Sequence, residues 1–299
     1  MEFQISNFPV QILRKEDFPA ALASIPNPPN AIFYRGKLPH FQKSWIAMVG
    51  TRRPSQQAEE ICRRLIRSLA GTDAVVVSGL AQGIDSFGHL SAIECRLPTV
   101  AVIAQGIESE IGGSRRNVAE KILQSGGALL SEYPGKTFSQ KFMFPQRNRI
   151  IAGLCKSTTL VESKAHGGGM ITANFAIEFQ RKLLCVPGSP ITETSQGTNQ
   201  CIATRKADAV WKLQDFADLC GAKRLQDPTL ENSLLTGIDL NPEALSLFQQ
   251  NAGFSHSLDV ICQRTALSVS QVLAILTELE IAGLVHSKDG NMFHFSASE

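Results

Sequence analysis

No stretch of this 299-residue chain approaches the roughly 20 unbroken apolar residues that a membrane-spanning helix needs. Its first segment, MEFQISNFPVQILRKEDFP, has no basic run followed by an apolar one, so a secretory leader is not expected and a cytoplasmic setting is. Cysteines are scattered, at Cys62, Cys95, Cys155, Cys185, Cys201, Cys220 and Cys262. Their odd number and the lack of any CxxC pair argue against structural zinc and against a disulfide framework. Most have apolar neighbours and suit small core positions. No GxGxxG run is present, which leaves a dinucleotide cofactor unsupported. Internal repeats and low-complexity tracts are missing too. Metal, cofactor and membrane are therefore all unexpected.

Charge of one sign is also lacking. The formal net charge is +2, which neither supports nor excludes a nucleic-acid partner. Its distribution is more telling. Arg52-Arg53, Arg63-Arg64, Arg115-Arg116, Lys141, Arg147 and Arg149 all fall in the first half. From Asn241 onward two bases, Arg264 and Lys288, face six acids, so the front of the chain must supply any polyanion site.

Residues 1–40 hold six of the fourteen prolines and are expected to form a mostly extended lead-in. Over 41–220 short apolar runs recur at Ile46–Val49, Ala74–Val77, Thr99–Ala104, Ala128–Leu130, Thr158–Val161 and Leu183–Val186. Between them lie segments with helical spacing, such as Ala58-Ile61-Leu65-Leu69 and Ile84-Phe87-Leu90-Ile93. That alternation indicates an α/β domain whose mainly parallel sheet is covered on both faces. Residues 221–240 read as a linker. Over 241–299, helical signals at Ala244-Leu247-Phe248, Leu258-Val260-Ile261 and Ser268–Gly283 precede two short strands flanking Lys288-Asp289-Gly290-Asn291. Three helices and a hairpin make a small winged-helix pattern.

Chemistry concentrates in loops that follow the apolar strands, where open α/β sheets bind ligands. In Val49-Gly50-Thr51-Arg52-Arg53-Pro54-Ser55, a glycine permits close approach, and two cations precede a helix start that favours anions. An ordinary turn with solvated arginines is the alternative. Ser78-Gly79-Leu80-Ala81-Gln82-Gly83-Ile84-Asp85 resembles a phosphate-cradling turn, with Asp85 expected to cap the following helix. Lys141-Phe142-Met143-Phe144-Pro145-Gln146-Arg147-Asn148-Arg149 carries the strongest signal, since aromatics interleaved with cations suit sequence-independent binding of single strands. Arg147 and Arg149 are expected in the first helical turn, where the helix dipole opposes them. The structural alternative buries Phe142 and Phe144 and pairs the arginines with Glu132 or Glu162. Gly167-Gly168-Gly169 before a helix forms a nest for an anion. His166 has no partner nucleophile in register and suits a solvated position.

Taken in order, VGTRRPS, VVSGLAQGIDSFGH, GALLSEYP, FPQRNRIIAGL, GGGMITANFAIE and VPGSP with QGTNQ closely resemble the DprA/Smf (DNA-processing protein A) family over about Ile32 to Val210. The resemblance implies an extended Rossmann-like fold with a winged-helix appendix and non-catalytic binding of single-stranded DNA. It also implies a homodimer that protects incoming strands and loads the RecA recombinase in natural transformation. Carried onto this chain, Phe144 would stack on a base while Arg52 and Lys141 hold phosphates. Arg53, Arg147, Arg149 and Lys164 would support them, Gly168, Gly169 and Thr172 would shape the floor, and Gly50, Ser78 and Gly79 belong to the flanking loops. The sequence departs from the family between Gly106 and Ser114, where only Asn117 matches a Tyr-Pro-loop-and-Asn pattern. The third C-terminal helix contains Glu278 and Glu280 and no cation, which favours protein contact over groove docking. An enzyme remains the rival reading. Gly167–Thr172 followed by Glu178 is loosely similar to the PGGxGTxxE motif of "lonely guy" nucleotide hydrolases, without its proline and with a longer spacing.

Overall fold

The computed structural model describes residues 4–225, 241–251, 254–265, 267–282, 284–288 and 292–295, and the chain divides into two compact units, Met1–Leu225 and Gln226–Glu299. Of the expected linker, residues 226–240 lie outside the described residues. Its start belongs to the first unit, where Asp73 N–H donates to Lys223 O at 2.8 Å and Leu225 N–H to Gly71 O at 2.9 Å.

The first unit is built on a nine-stranded sheet of order β1-β2-β6-β5-β4-β3-β7-β8-β9. The strands are β1 (Gln11–Arg14), β2 (Ala31–Gly36), β3 (Ser44–Val49), β4 (Ala74–Ser78), β5 (Thr99–Ile103), β6 (Ala128–Ser131), β7 (Ser157–Leu160), β8 (Lys182–Cys185) and β9 (Asp208–Ala209). All six apolar runs are strands, and they pair in parallel. Every residue of β3, β4, β5, β6 and β7 is buried, as a sheet covered on both faces requires. Alternate side chains of one strand enter different cores. Trp45, Ala47 and Val49 pack with α1 (Ala20–Ala23), α5 (Met143–Leu154) and α6 (Gly168–Glu178). Ile46 and Met48 pack with α2 (Gln56–Arg67), α3 (Ile84–Glu94) and α8 (Phe216–Cys220). Beside them α4 (Ser114–Gln124) covers β5 and β6, and α7 (Gln196–Ala203) sits against β8.

Two expectations change. Residues 1–40 are not a lead-in outside the sheet. β1 and β2 add to its edge in antiparallel fashion through β6, and Leu22 and Ile32 are fully buried. Prolines at 9, 19, 26, 28, 29 and 39 flank these elements rather than interrupt them, so the strands keep their ladder donors. The second change concerns α3. Of the spaced residues Ile84, Phe87, Leu90 and Ile93, Ile84 is fully buried and the others pack only partly buried, while Asp85, Gly88, His89, Ser91 and Ala92 are buried as well. Small side chains let this helix lie close on the sheet, where a Cβ on Gly88 would stand 3.3 Å from Met48.

His89 is fully buried, and the Thr99 hydroxyl donates to Val76 O while contacting His89 Nδ1 at 2.7 Å. That geometry places the imidazole proton on Nδ1 and leaves Nε2 without a hydrogen bond. Burial, and then the nearby Arg147 charge, push the ring down to about 3. The unfolded chain, with an ordinary pKa of about 6.5, therefore binds the proton first, and stability falls as pH drops from about 6.5 toward 3. Burial pushes the Asp85 carboxyl up, which acts in the opposite direction, so comparison with His89→Gln isolates the imidazole. Urea titrations from pH 7 to 4 should show wild type losing more stability than His89→Gln. Equal losses would reject the assignment.

The second unit holds α9 (Pro242–Asn251), α10 (Leu258–Thr265) and α11 (Val269–Ile281), with β10 (Ser255–Ser257), β11 (Val285–Lys288) and β12 (Met292–Phe295) in a sheet of order β10-β12-β11. Ser268 caps α11 in a box with Gln271. β10 was not legible, because Ser-His-Ser has no apolar alternation and is held by backbone pairing to β12. Turn residues 289–291 lie outside the described residues. No single helix among the described residues is long and apolar enough to cross a membrane.

Candidate nucleic-acid interface

The strand order reverses at β3, which has β4 on one side and β7 on the other. The crevice at the C-terminal ends of β3 and β7 is therefore the topological switch point where such sheets take ligands. Two loops meet there. Thr51 N–H donates to Glu162 O at 2.8 Å, and Ser55 N–H donates to Glu162 Oε2 at 2.8 Å. The other Glu162 oxygen accepts from the Thr194 hydroxyl at 2.7 Å, so this buried carboxylate ties the start of α2 to the loop after β8. Sequence reasoning considered Glu162 only as a partner for arginines, yet it organises the loop that presents Arg52.

Close backbone approach shapes the floor. A Cβ on Gly169 would lie 2.8 Å from Leu160 Cδ1 and 3.2 Å from Gly50 Cα, so the start of α6 can press onto the loop after β3. Gly83, at φ +80°, sits where a Cβ would be 2.4 Å from Thr51 O. Gly168 is exposed with nothing near an added Cβ, whereas Thr172 is 2% exposed and points inward. The wall at 104–113 is ordered by backbone pairing with the following loop. Gly106 N–H donates to Thr137 O at 2.7 Å and Glu108 N–H to Gly135 O at 3.0 Å.

At the mouth, the exposed Arg52 guanidinium lies over the half-exposed Phe144 ring, with Cζ 5.5 Å from the centroid. Lys141, just before α5, is exposed, as is Arg53. Arg52, Arg53 and Lys141 form no ion pair among the described residues. Phe142, one of the two aromatics expected to offer a stacking face, is 51% exposed rather than core, and Phe138, which the sequence reading did not single out, is 85% exposed.

Other expected site residues are engaged elsewhere. Arg147 is a correction. It is 5% exposed, and its Nη1 donates to the carbonyls of Gly79 and Val102. Burial pushes this guanidinium down to about 10; Asp85 pulls it up, and Arg52 and Arg115 push it further down. Arg149 pairs with Glu132 at 2.5 Å, with both side chains largely buried, as the structural alternative had it. α5 begins at Met143, so both arginines fall past its first turn and face inward. Lys164 is exposed and pairs with Glu193 at 2.6 Å. Nor is the Ser78–Gly83 turn an open phosphate cradle. Ser78 is buried and donates to Met48 O at 2.6 Å. The Asp85 carboxylate accepts from Gly79 N–H at 3.1 Å and Ala81 N–H at 3.3 Å. Asp85 thus fills the turn's anion nest instead of capping α3, whose N-cap is Gly83 without a side-chain bond.

The rival motif fares poorly. Gly168 and Glu178 are the first and last residues of α6, so about 15 Å of helix separates them and Glu178 cannot act beside the glycine-rich loop. His166 is exposed.

Comparison with known proteins agrees with this fold. Residues 10–221 match the family model of DNA recombination-mediator protein A, and residues 240–291 match the DprA winged helix domain. The chain is 31% identical to Protein Smf of Synechocystis over 92% of its own length and 77% of the relative's. It is 33% identical to the DNA processing protein DprA of Bacillus subtilis, over 72% of each. The solved structure of DprA from Streptococcus pneumoniae superposes with TM-score 0.65 at 32% identity, covering 72% of this chain and 75% of that one. DNA processing protein A of Helicobacter pylori, whose structure is described for its single-stranded-DNA binding mode, also gives TM-score 0.65 at 26% identity, covering 72% of this chain and 97% of that one. With an α/β unit on a mostly parallel nine-stranded sheet, followed in sequence by a winged-helix unit, the chain belongs to the DNA recombination-mediator protein A (DprA/Smf) family.

Proposed function

We propose that this protein binds single-stranded DNA at the β3–β7 crevice without cleaving it. The observation that carries the reading is the exposed Arg52 over Phe144, with Lys141 three residues before the ring in sequence and unpaired among the described residues. A base has a π-face that stacks on Phe144, and its flanking phosphates meet cations that have no internal acid to displace. Arg53 and Gly168 support the same contact, whereas Arg147, Arg149, Gly169 and Thr172 hold the frame. The Glu162 carboxylate accepts backbone and hydroxyl hydrogen bonds, which commits it to holding the loops rather than to acting as an acid or base. Family membership supports placing this binding in recombination and natural transformation, with protection of incoming strands, loading of RecA, self-association as a dimer and a cytoplasmic setting as parts of the same reading. For the C-terminal unit, α11 with Glu278, Glu280 and no cation supports a protein partner rather than duplex DNA.

Titration of a labelled single-stranded oligonucleotide and an equal-length duplex across a salt series tests this. Tight, salt-sensitive preference for the single strand is expected. Phe144→Ala should weaken it by about 1–3 kcal/mol while leaving the fold intact. Equal duplex binding, indifference to Phe144→Ala, or release of ribose phosphate from nucleoside monophosphates would overturn the reading.

A further inference from the structure

Trp211 is one of two tryptophans in the chain and is 71% exposed. Leaving an indole in water forgoes a large burial gain, and this one follows the short edge strand β9, whose Asp208 is exposed and Ala209 half-buried. Lys212 folds over the ring, with Nζ 4.5 Å from the centroid. The same combination of aromatic plane and cation occurs at Phe144 and Arg52.

The sheet relates the two. Val49, Leu160, Cys185 and Ala209 are paired partners in one row across β3, β7, β8 and β9. Arg52 follows that row by three residues and Trp211 by two, on strands that all run parallel. Both therefore lie at the same edge of the sheet, three strand spacings or roughly 14 Å apart. That is about four nucleotides at the 3.4 Å rise of a stacked strand, and fewer for an extended one. Between them lie the loops after β7 and β8. Two acids of this region are paired, Glu193 with Lys164 at 2.6 Å and Asp208 with Lys182 at 3.6 Å.

We infer that Trp211 and Lys212 form a second stacking station for single-stranded DNA, which carries the strand from the Arg52–Phe144 mouth across the ends of β7 and β8 to the β9 edge. The inference rests on the proposed function above and extends that site. Here Trp211 stacks on a base, as Phe144 does at the mouth, and Lys212 swings from the indole to a phosphate.

Intrinsic fluorescence tests it directly. Trp45 is 2% exposed and its Nε1–H donates to His40 O, so a change in emission on adding DNA reports Trp211. The full chain is titrated with two oligothymidylates, one of about three nucleotides that covers only the mouth and one of about twelve that crosses the edge. Quenching by the long oligonucleotide and not by the short one is expected. Trp211→Ala should weaken the long one by about 5- to 150-fold and not the short one, and Trp211→Phe should recover most of the loss. Unquenched emission together with equal long-strand affinity of Trp211→Ala would overturn this station and leave the mouth standing. Failure of wild type to bind either strand would instead overturn the mouth and the station with it. A shift in emission on raising protein concentration alone would assign Trp211 to contact between copies, and the inference would fall.

Discussion

Reversing two charges, Arg52→Glu with Lys141→Glu, is expected to lower affinity for single-stranded DNA by about 100-fold or more and to flatten its dependence on salt. Each charge-assisted contact is worth about 1.5–3 kcal/mol, so losing two gives that range before the added acids repel the strand. Counterion release gives an independent readout. The slope of log affinity against log salt should become shallower by about 0.7 for each lost contact with a single strand, or about 1.4 for the pair. Folding should be little changed, because both side chains are exposed and neither forms an ion pair among the described residues. Thermal melting within about 0.5 kcal/mol of wild type is the control. An unchanged slope with normal melting would mean that neither cation meets a phosphate.

The opposite pattern is expected for Arg147→Met, which should destabilise the fold by about 2–6 kcal/mol, because it leaves two buried carbonyls without their donor at about 1–3 kcal/mol each. In wild type, the buried Arg147 guanidinium donates to Gly79 O and Val102 O, and the Asp85 charge favours its protonated form. Methionine fills the volume but leaves two carbonyls unbonded and Asp85 without its cation. Chemical denaturation measures the loss. A change within about 0.5 kcal/mol would show that Arg147 is free for ligand after all. Below the transition, where the variant is still folded, its salt slope with single strands should match wild type, which separates a structural arginine from a phosphate-binding one. Arg52 and Arg147 stand in comparable basic runs, and this pair of experiments separates the exposed cation from the buried one.

Much could be read from the chain alone. Apolar runs such as Ala74–Val77 and Thr99–Ala104 are legible as strands because a parallel strand buried on both faces needs apolar side chains throughout. Glycines at 50 and 169 sit where backbones approach within ordinary Cβ distance, so the ordered glycine-rich motifs marked the crevice before any coordinates did. Lys141 and Phe144 stood out as an aromatic beside cations, whereas Arg52 joined them only through the family resemblance; the structure lays Arg52 over the Phe144 ring.

What the pattern could not assign was which cation faces in. Arg147 and Arg149 differ from Arg52 in neither type nor company; the difference is the direction α5 gives them, toward Gly79 O and Glu132. The partners lie far off in sequence, so local spacing holds no trace of them. The same limit hid β1, β2 and β9. Short edge strands carry mixed or polar residues, and backbone pairing to a neighbour, not a hydrophobic period, makes them strands. It also hid Asp85, whose carboxylate was expected on its own helix and is held by the turn before it. Local hydrophobic period and glycine placement decide fold class and the position of the crevice, because they act within one element. Tertiary packing alone decides which charges remain free for a ligand, because each charge is claimed by whatever the fold brings beside it.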